Sequence, residues 1–242
     1  MTTGVYEKCK RYIELHSRKS ITRTGSKNIY PSITVSRETG AGSQPVCEKL
    51  IQMLDEYSLP EGVNWAYFDR TLIEKVLEDH HLPDRIRDYM IEGKYSQISS
   101  TLHELLGLKP SDWTLIHKTS DTILQLARMG NVVIVGRAAN LIAARLKNSF
   151  HIRLISPFEK RVEHIMDVMN LNSKEAETYV KMQDDNRRKY VKSYFNSDVD
   201  DPLLYHLVIN TDRLGYEGTA YLIAEGVVKK FGELFPQFVH HW

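Results

Sequence analysis

Two cysteines in 242 residues, Cys9 and Cys47, stand far apart with no CxxC pair and no His/Cys ligand spacing around them. That excludes a disulfide scaffold and a zinc framework, and it reads as a reducing, cytoplasmic setting. No stretch approaches the run of about 18 apolar residues that a bilayer span needs. The first thirty residues also lack the apolar core of a secretory signal. Neither charge dominates: 32 Lys and Arg face 31 Asp and Glu, a net of +1. A protein that tracks long nucleic acid is usually far more basic, so neither long nucleic acid nor a membrane is expected as a partner. With 42% hydrophobic and 26% charged residues, the composition is that of an ordinary globular protein.

The balance is uneven along the chain. Residues 1–30 carry Lys8, Lys10, Arg11, Arg18, Lys19, Arg23 and Lys27 against Glu7 and Glu14, which leaves the remainder acidic. The segment reads as a basic extension, with a short helix over about Val5–His16 and a solvated arm, ahead of one domain spanning 31–242. Inside that domain five short apolar runs stand out. They are Ile33–Ser36, Trp65–Phe68, Val132–Val135, Phe150–Ile155 and Leu207–Asn210. Short β-rich runs separated by helical patterns predict a parallel sheet covered on both faces. Ser43-Gln44-Pro45, Asp69, Ser156-Pro157-Phe158-Glu159 and Asp212 are the expected helix caps. The stretch of about 79–128 is too long for a loop and reads as a helical insert over a substrate site. Residues 173–192 form a long helix that ends in a basic cluster.

The chemistry concentrates after the first strand, in Ser36-Arg37-Glu38-Thr39-Gly40-Ala41-Gly42-Ser43-Gln44. A strand, a glycine-bearing loop and a helix N-terminus together make an anion site, because inward N–H groups and the helix dipole both favour negative charge. The same glycines also suit a plain strand-to-helix turn. Arg137 follows the third strand, at the mouth where parallel sheets take ligands, or it simply caps that strand end. Asp69 follows the second strand, as a metal or acceptor contact or as a helix cap. The ten histidines show no ligand spacing and read as packing residues.

Six stretches, in order and at sensible spacing, resemble the cytidylate kinase-like proteins of the P-loop superfamily. These are ITVSRETGAGSQPVCEKL from Ile33, YFDRTLI from Tyr67, VVIVGRAANLI from Val132, RLISPFEKRVEHIM from Arg153, DDNRRKYVKSYF from Asp184 and DPLLYHLVINTDRLG from Asp201. The resemblance implies a three-layer α/β P-loop NTPase fold with a five-stranded parallel sheet, a helical insert and a lid over about 181–202. It implies transfer of the ATP γ-phosphoryl group to CMP, dCMP or a related small acceptor, with Mg2+. Nucleotides or a small phosphate acceptor are then the partners, and a homo-oligomer stays open.

The same resemblance puts Gly40, Ala41, Gly42, Ser43 and Gln44 on phosphate, Arg137 on the acceptor phosphate and Asp69 near the metal or acceptor. Arg187, Arg188 and Arg37 become the catalytic candidates, since arginines on a transferring phosphoryl group raise its rate. Two departures are visible. A working phosphate loop reads G-x-x-x-x-G-K-[ST], but Arg37 holds the first glycine position and Ser43 the lysine position. Cytidylate kinases also follow the Gly-Arg pair with aspartate, where Ala138 stands here. Loss of the lysine favours the alternative of a nucleotide-binding or sensing protein without turnover, while the paired arginines favour a phosphotransferase.

Overall fold

A computed structural model of the chain describes residues 12, 30–58, 64–69, 71, 110–232 and 235. Five strands form one sheet: β1 (Ser32–Arg37), β2 (Ala66–Phe68), β3 (Val132–Val135), β4 (Ser149–Ile155) and β5 (Leu207–Asn210). Each lies within a residue of the run that predicts it. The order is β2-β3-β1-β4-β5 and every pairing is parallel. β1 therefore lies between β3 and β4, and connections diverge at its C-terminal end, where such sheets open a ligand crevice.

The helices are α1 (Ser43–Tyr57), α2 (Pro110–Met129), the short α3 (Ala139–Ile142), α4 (Phe158–Met169), α5 (Ser173–Phe195) and α6 (Thr211–Lys230). They cover both faces of the sheet in three layers. On one face, Ile33, Val35, Val133, Val135, Ile152 and Leu154 meet α1 through Val46, Leu50 and Leu54, and α6 through Ile223 and Val227. On the other, Phe68, Val132 and Ile134 pack on Ile123, Leu126 and Ala127 of α2. Full burial of one such side chain is worth about 2 kcal/mol, which fixes the layers firmly.

Beside the second core, the sheet carries a polar row. Successive side chains of a strand alternate between faces, so Ser32, Thr34 and Ser36 share one side of β1. Each meets its register partner on β4. Ser32 Oγ lies 2.7 Å from Ser149 Oγ, Thr34 Oγ1 2.8 Å from His151 Nδ1, and Ser36 Oγ accepts from Arg153 Nη1 at 2.9 Å. These are satisfied buried pairs, so they cost little despite their polarity.

The helix starts differ from the expected caps. α1 is preceded by Gly42 in left-handed conformation with no side-chain cap, and Ser43 is already its first helical residue. Pro157, with extended ψ, is the N-cap of α4, and no capping box forms there; the Ser156 amide donates instead to Glu38 at 3.0 Å. Asn210, not Asp212, caps α6, by accepting from the amides of Asp212 and Arg213. The strand end delivers Asn210 with extended backbone, so its side chain reaches the first turn before Asp212 can. A capping box does form at α5, between Asn172 and Glu175.

Tyr12 is helical and buried, with its ring on Phe68 and its hydroxyl donating to the Gly130 carbonyl. Tyr12 falls within the short helix expected over about Val5–His16, and at this residue the basic extension packs on the core rather than standing in solvent. The rest of 1–29, all but the helical Thr71 of the helix expected after Asp69, and most of the helical insert lie outside the described residues. Among the described residues no helix is long and apolar enough to cross a membrane.

Candidate functional site

At the C-terminal end of β1 lies a cavity of about 510 Å³. Its walls come from the β1–α1 loop (Arg37 to Gly40, and Ser43), from the turn after β3 (Gly136 to Asn140) and from α5 (Gln183, Asn186, Arg187, Tyr190). A shallower recess of about 340 Å³ lies on the other side of the loop, between Lys160 and His164 of α4 and Asp212, Gly215 and Tyr216 of α6. Gly40 lines both. Gly40 of the loop thus stands between the two spaces.

Two elements shape the main cavity. After β3 the backbone turns through three successive left-handed residues, Gly136, Arg137 and Ala138. The conformation costs a non-glycine residue on the order of 1 kcal/mol or more, and it recurs where a site needs a special turn. It is held by Ala138, which packs with Val191 and Val199 beside Tyr190. This packing seats α5 over the turn, with the Arg137 guanidinium 6.0 Å from the centre of the Tyr190 ring.

The second element is a buried ion-pair group between α4, α5 and the loop. Asp184 accepts from the Thr39 amide at 2.8 Å, from Arg161 at 2.6 Å and from Arg187 at 2.9 Å. Arg187 also donates to the Thr39 hydroxyl at 3.2 Å. Arg161 further donates to the Ser156 and Thr39 carbonyls and lies 3.3 Å from Glu38. Burial alone would raise the Asp184 carboxyl, but the Thr39 donors and Arg161 outweigh it and hold it below its ordinary value. Burial pushes the Arg187 guanidinium down, with Asp184 opposing.

Arg37 stands apart. Burial, and then Arg187, push its guanidinium down to about 10. Its side chain lies against Gly136, where a Cβ would collide with Nη1. Among the described lining residues Arg37, Arg137 and Arg187 face one carboxylate, Glu38, which Arg161 already engages. The cavity is therefore suited to an anion.

A family model described as the cytidylate kinase-like family matches residues 32–213. The chain belongs to that family. A cytidylate kinase of Methanocaldococcus jannaschii is 29% identical over 159 residues, covering 65% of this chain and 89% of the relative. One from Staphylothermus marinus is 26% identical over 129 residues, covering 53% and 72%. An uncharacterized protein from Eubacterium ventriosum has a similar solved structure, with a TM-score of 0.61 at 17% identity over 81% of this chain and 98% of that one. The three-layer α/β fold with its five-stranded parallel sheet is consistent with a P-loop-like fold, and the family supports a kinase-like function.

Of the residues singled out in the sequence of this family member, Arg37, Gly40, Ser43, Arg137 and Arg187 line the main cavity. Ala41, Gly42 and Gln44 do not; the Ala41 carbonyl accepts from Thr211, and Gln44 donates to Glu48 at 3.0 Å on the surface. Asp69 follows β2, close enough to act on the charge of Arg37, but does not line the cavity. Arg188 turns away, with Nε on Asp200 at 2.9 Å and Nη1 on Asp185 at 3.3 Å.

Four residues of the charge network escape the motif reading: Thr39, Arg153, Arg161 and Asp200. Arg153 ties Asp200 to Ser36, and thus the segment after α5 to the end of β1. Its signal is a lone arginine inside the apolar run of β4.

Magnesium, which the family implies, needs oxygen ligands, commonly one or two carboxylates beside phosphate. Among the described residues no group of three His, Cys, Asp or Glu is placed to hold a metal. Glu38 and Asp184 are both spent on guanidinium and amide donors. Glu38 and Asp184 therefore offer no free carboxylate to a magnesium ion, and Asp69 does not line the cavity.

Proposed function

We propose that this protein transfers the γ-phosphoryl group of ATP to CMP, dCMP or a related small phosphate-bearing acceptor. The observation that carries this reading is the convergence of Arg37, Arg137 and Arg187, from three separate elements, on one cavity, with a second recess across the loop that also has Gly40 in its wall. Arg137 takes the acceptor phosphate, where a planar fork binds two oxygens at once. The donor lies along the loop, its nucleoside toward the recess between α4 and α6. Arg187 and Arg37 face the transferring group, and such transfers depend almost wholly on positioning and charge neutralisation. Arg188 acts from behind, by holding Asp200 and so the end of the lid. Ser43 at the lysine position supports a second reading, nucleotide binding without turnover.

The test is ATP-dependent product formation with CMP, dCMP, UMP, AMP and GMP, resolved by chromatography, with Arg137→Ala as control. Diphosphate product that disappears in the variant is the expected result. Tight nucleotide binding with no product from any acceptor would support the second reading instead.

A further inference from the structure

The arginines around the main cavity divide sharply by what they touch. Arg161 is bound by Asp184 and Glu38, Arg187 by Asp184, Arg153 by Asp200, and Arg188 by Asp200 and Asp185. Arg37 has no hydrogen-bond acceptor and no ion-pair partner among the described residues. Its largest electrostatic neighbour is Arg187, another cation, with Tyr67, Cys47 and Asp69 acting more weakly. A partly buried guanidinium without an acceptor is costly unless something negative arrives to meet it.

The Arg37 guanidinium lies against the turn that follows β3. Arg37 closes β1, the central strand, and its Cα is fixed by the pairing with Leu154. Gly136 makes room for the fork, because any Cβ there would strike Nη1. The positive charge therefore lies between the phosphate loop and the Gly136–Arg137 turn, at the position where the loop motif has its first glycine. The usual loop lysine is replaced by Ser43, and the carboxylates that could hold a metal are already paired.

We propose that Arg37 is a built-in counter-charge for phosphate, so that a phosphate group binds between the loop and the Gly136–Arg137 turn without a divalent cation. The inference rests on reading this cavity as a phosphate site and is independent of which acceptor is used. Its probe is inorganic pyrophosphate, which carries no nucleoside, so its failure and that of the kinase reading are separable.

Pyrophosphate binding to the full chain would be measured by calorimetry, in EDTA and in excess magnesium. The natural protein should bind in EDTA with an affinity within about threefold of that in magnesium, since the charge is supplied by the side chain. Arg37→Met keeps the length and removes the charge, and should weaken binding in EDTA by about tenfold or more. Lys49→Met, on the partly exposed side of α1 where Lys49 pairs with Glu217, removes the same net charge and should leave binding unchanged. If Arg37→Met does not fold, Arg37→Lys carries the test: it keeps a charge without the fork and should bind at least about threefold more weakly in EDTA. Unaltered affinity in the variant that folds would overturn the proposal. So would pyrophosphate binding by the natural protein that requires magnesium, or no binding at all.

Discussion

The carboxylate of Asp184, on the long helix α5, accepts the backbone N–H of Thr39 in the β1–α1 loop at 2.8 Å. Amides in a loop between a strand and a helix N-terminus can answer an anion, and here a carboxylate of α5 occupies one of them. The other Asp184 oxygen takes Arg161 at 2.6 Å, and Arg187 shares the first at 2.9 Å. Loop, α4 and α5 are thus joined through one buried carboxylate, and any movement of α5 must alter what Thr39 and Arg187 bond to.

Asp184→Asn tests that joint. It keeps an acceptor for Thr39 but leaves the buried Arg161 short of a charge, and should cost about 3–5 kcal/mol in urea unfolding near neutral pH. The carboxyl titrates below its ordinary value in the folded protein. Its stabilisation is therefore fully present above about pH 4 and is lost as pH falls through the lower folded value. The difference between the two proteins should shrink only on strong acidification. A difference that stays constant across that range would show that the charge is not what holds the loop.

The sheet was legible because each strand is a short apolar run with turn residues after it, and nothing in the tertiary structure overrides that pattern. That Arg37, Arg137 and Arg187 line one cavity agrees with where the sequence draws attention to them, each beside a recognisable motif, at a strand end or on α5. Arg161 and Thr39 were not, because their roles arise from packing α4 on the loop across more than a hundred residues of chain. The caps misled where strand ends supplied a nearer group, as Asn210 does ahead of Asp212. Arg188 looked equivalent to Arg187 in the sequence, and only the helix geometry separates them.

Gly42 has φ 73°, and a Cβ there would enter the ring of Tyr216. Gly42→Ala should destabilise by about 1–2 kcal/mol from the left-handed backbone alone, with the ring collision in addition. The two contributions separate in a double-mutant cycle with Tyr216→Ala. Removing the ring should cost clearly less in the Gly42→Ala background than in the natural protein. Additive effects would mean that the ring is not what the glycine accommodates.

His151 provides a pH dependence in a different window. Its Nδ1 lies 2.8 Å from Thr34, its amide donates to His206 Nδ1 at 2.9 Å, and His206 Nε2 lies 2.6 Å from Lys230. Burial, then His206 and Lys230, push its value down from 6.5 to about 4. The unfolded chain then binds a proton that the folded one refuses, so stability should fall as pH drops from about 6.5 to about 4 and level off below. A shift of this size corresponds to about 3 kcal/mol at most. His206 is displaced the same way by burial and Lys230, so His151→Asn should reduce the slope without abolishing it. Thermal melts across this range would show it; an unchanged slope would mean that His151 is not the group responsible.

Arg187 and Arg188 are neighbours in sequence but point about 100° apart around the helix axis. Arg187 lines the cavity and reaches Thr39 and Asp184, whereas Arg188 is half-exposed on Asp200 and Asp185. In the function proposed above Arg187 faces the transferring group and acts on the transition state, so Arg187→Ala should lower kcat by about a thousandfold with a much smaller change in KM. Arg188 forms pairs of the exposed kind, each worth under about 1 kcal/mol, so Arg188→Ala should lower kcat by less than about tenfold. Steady-state kinetics on the best acceptor of the nucleotide panel decide the matter. Equal losses in the two variants would take Arg187 out of the role at the phosphoryl group proposed for it and make the whole basic cluster a support for α5.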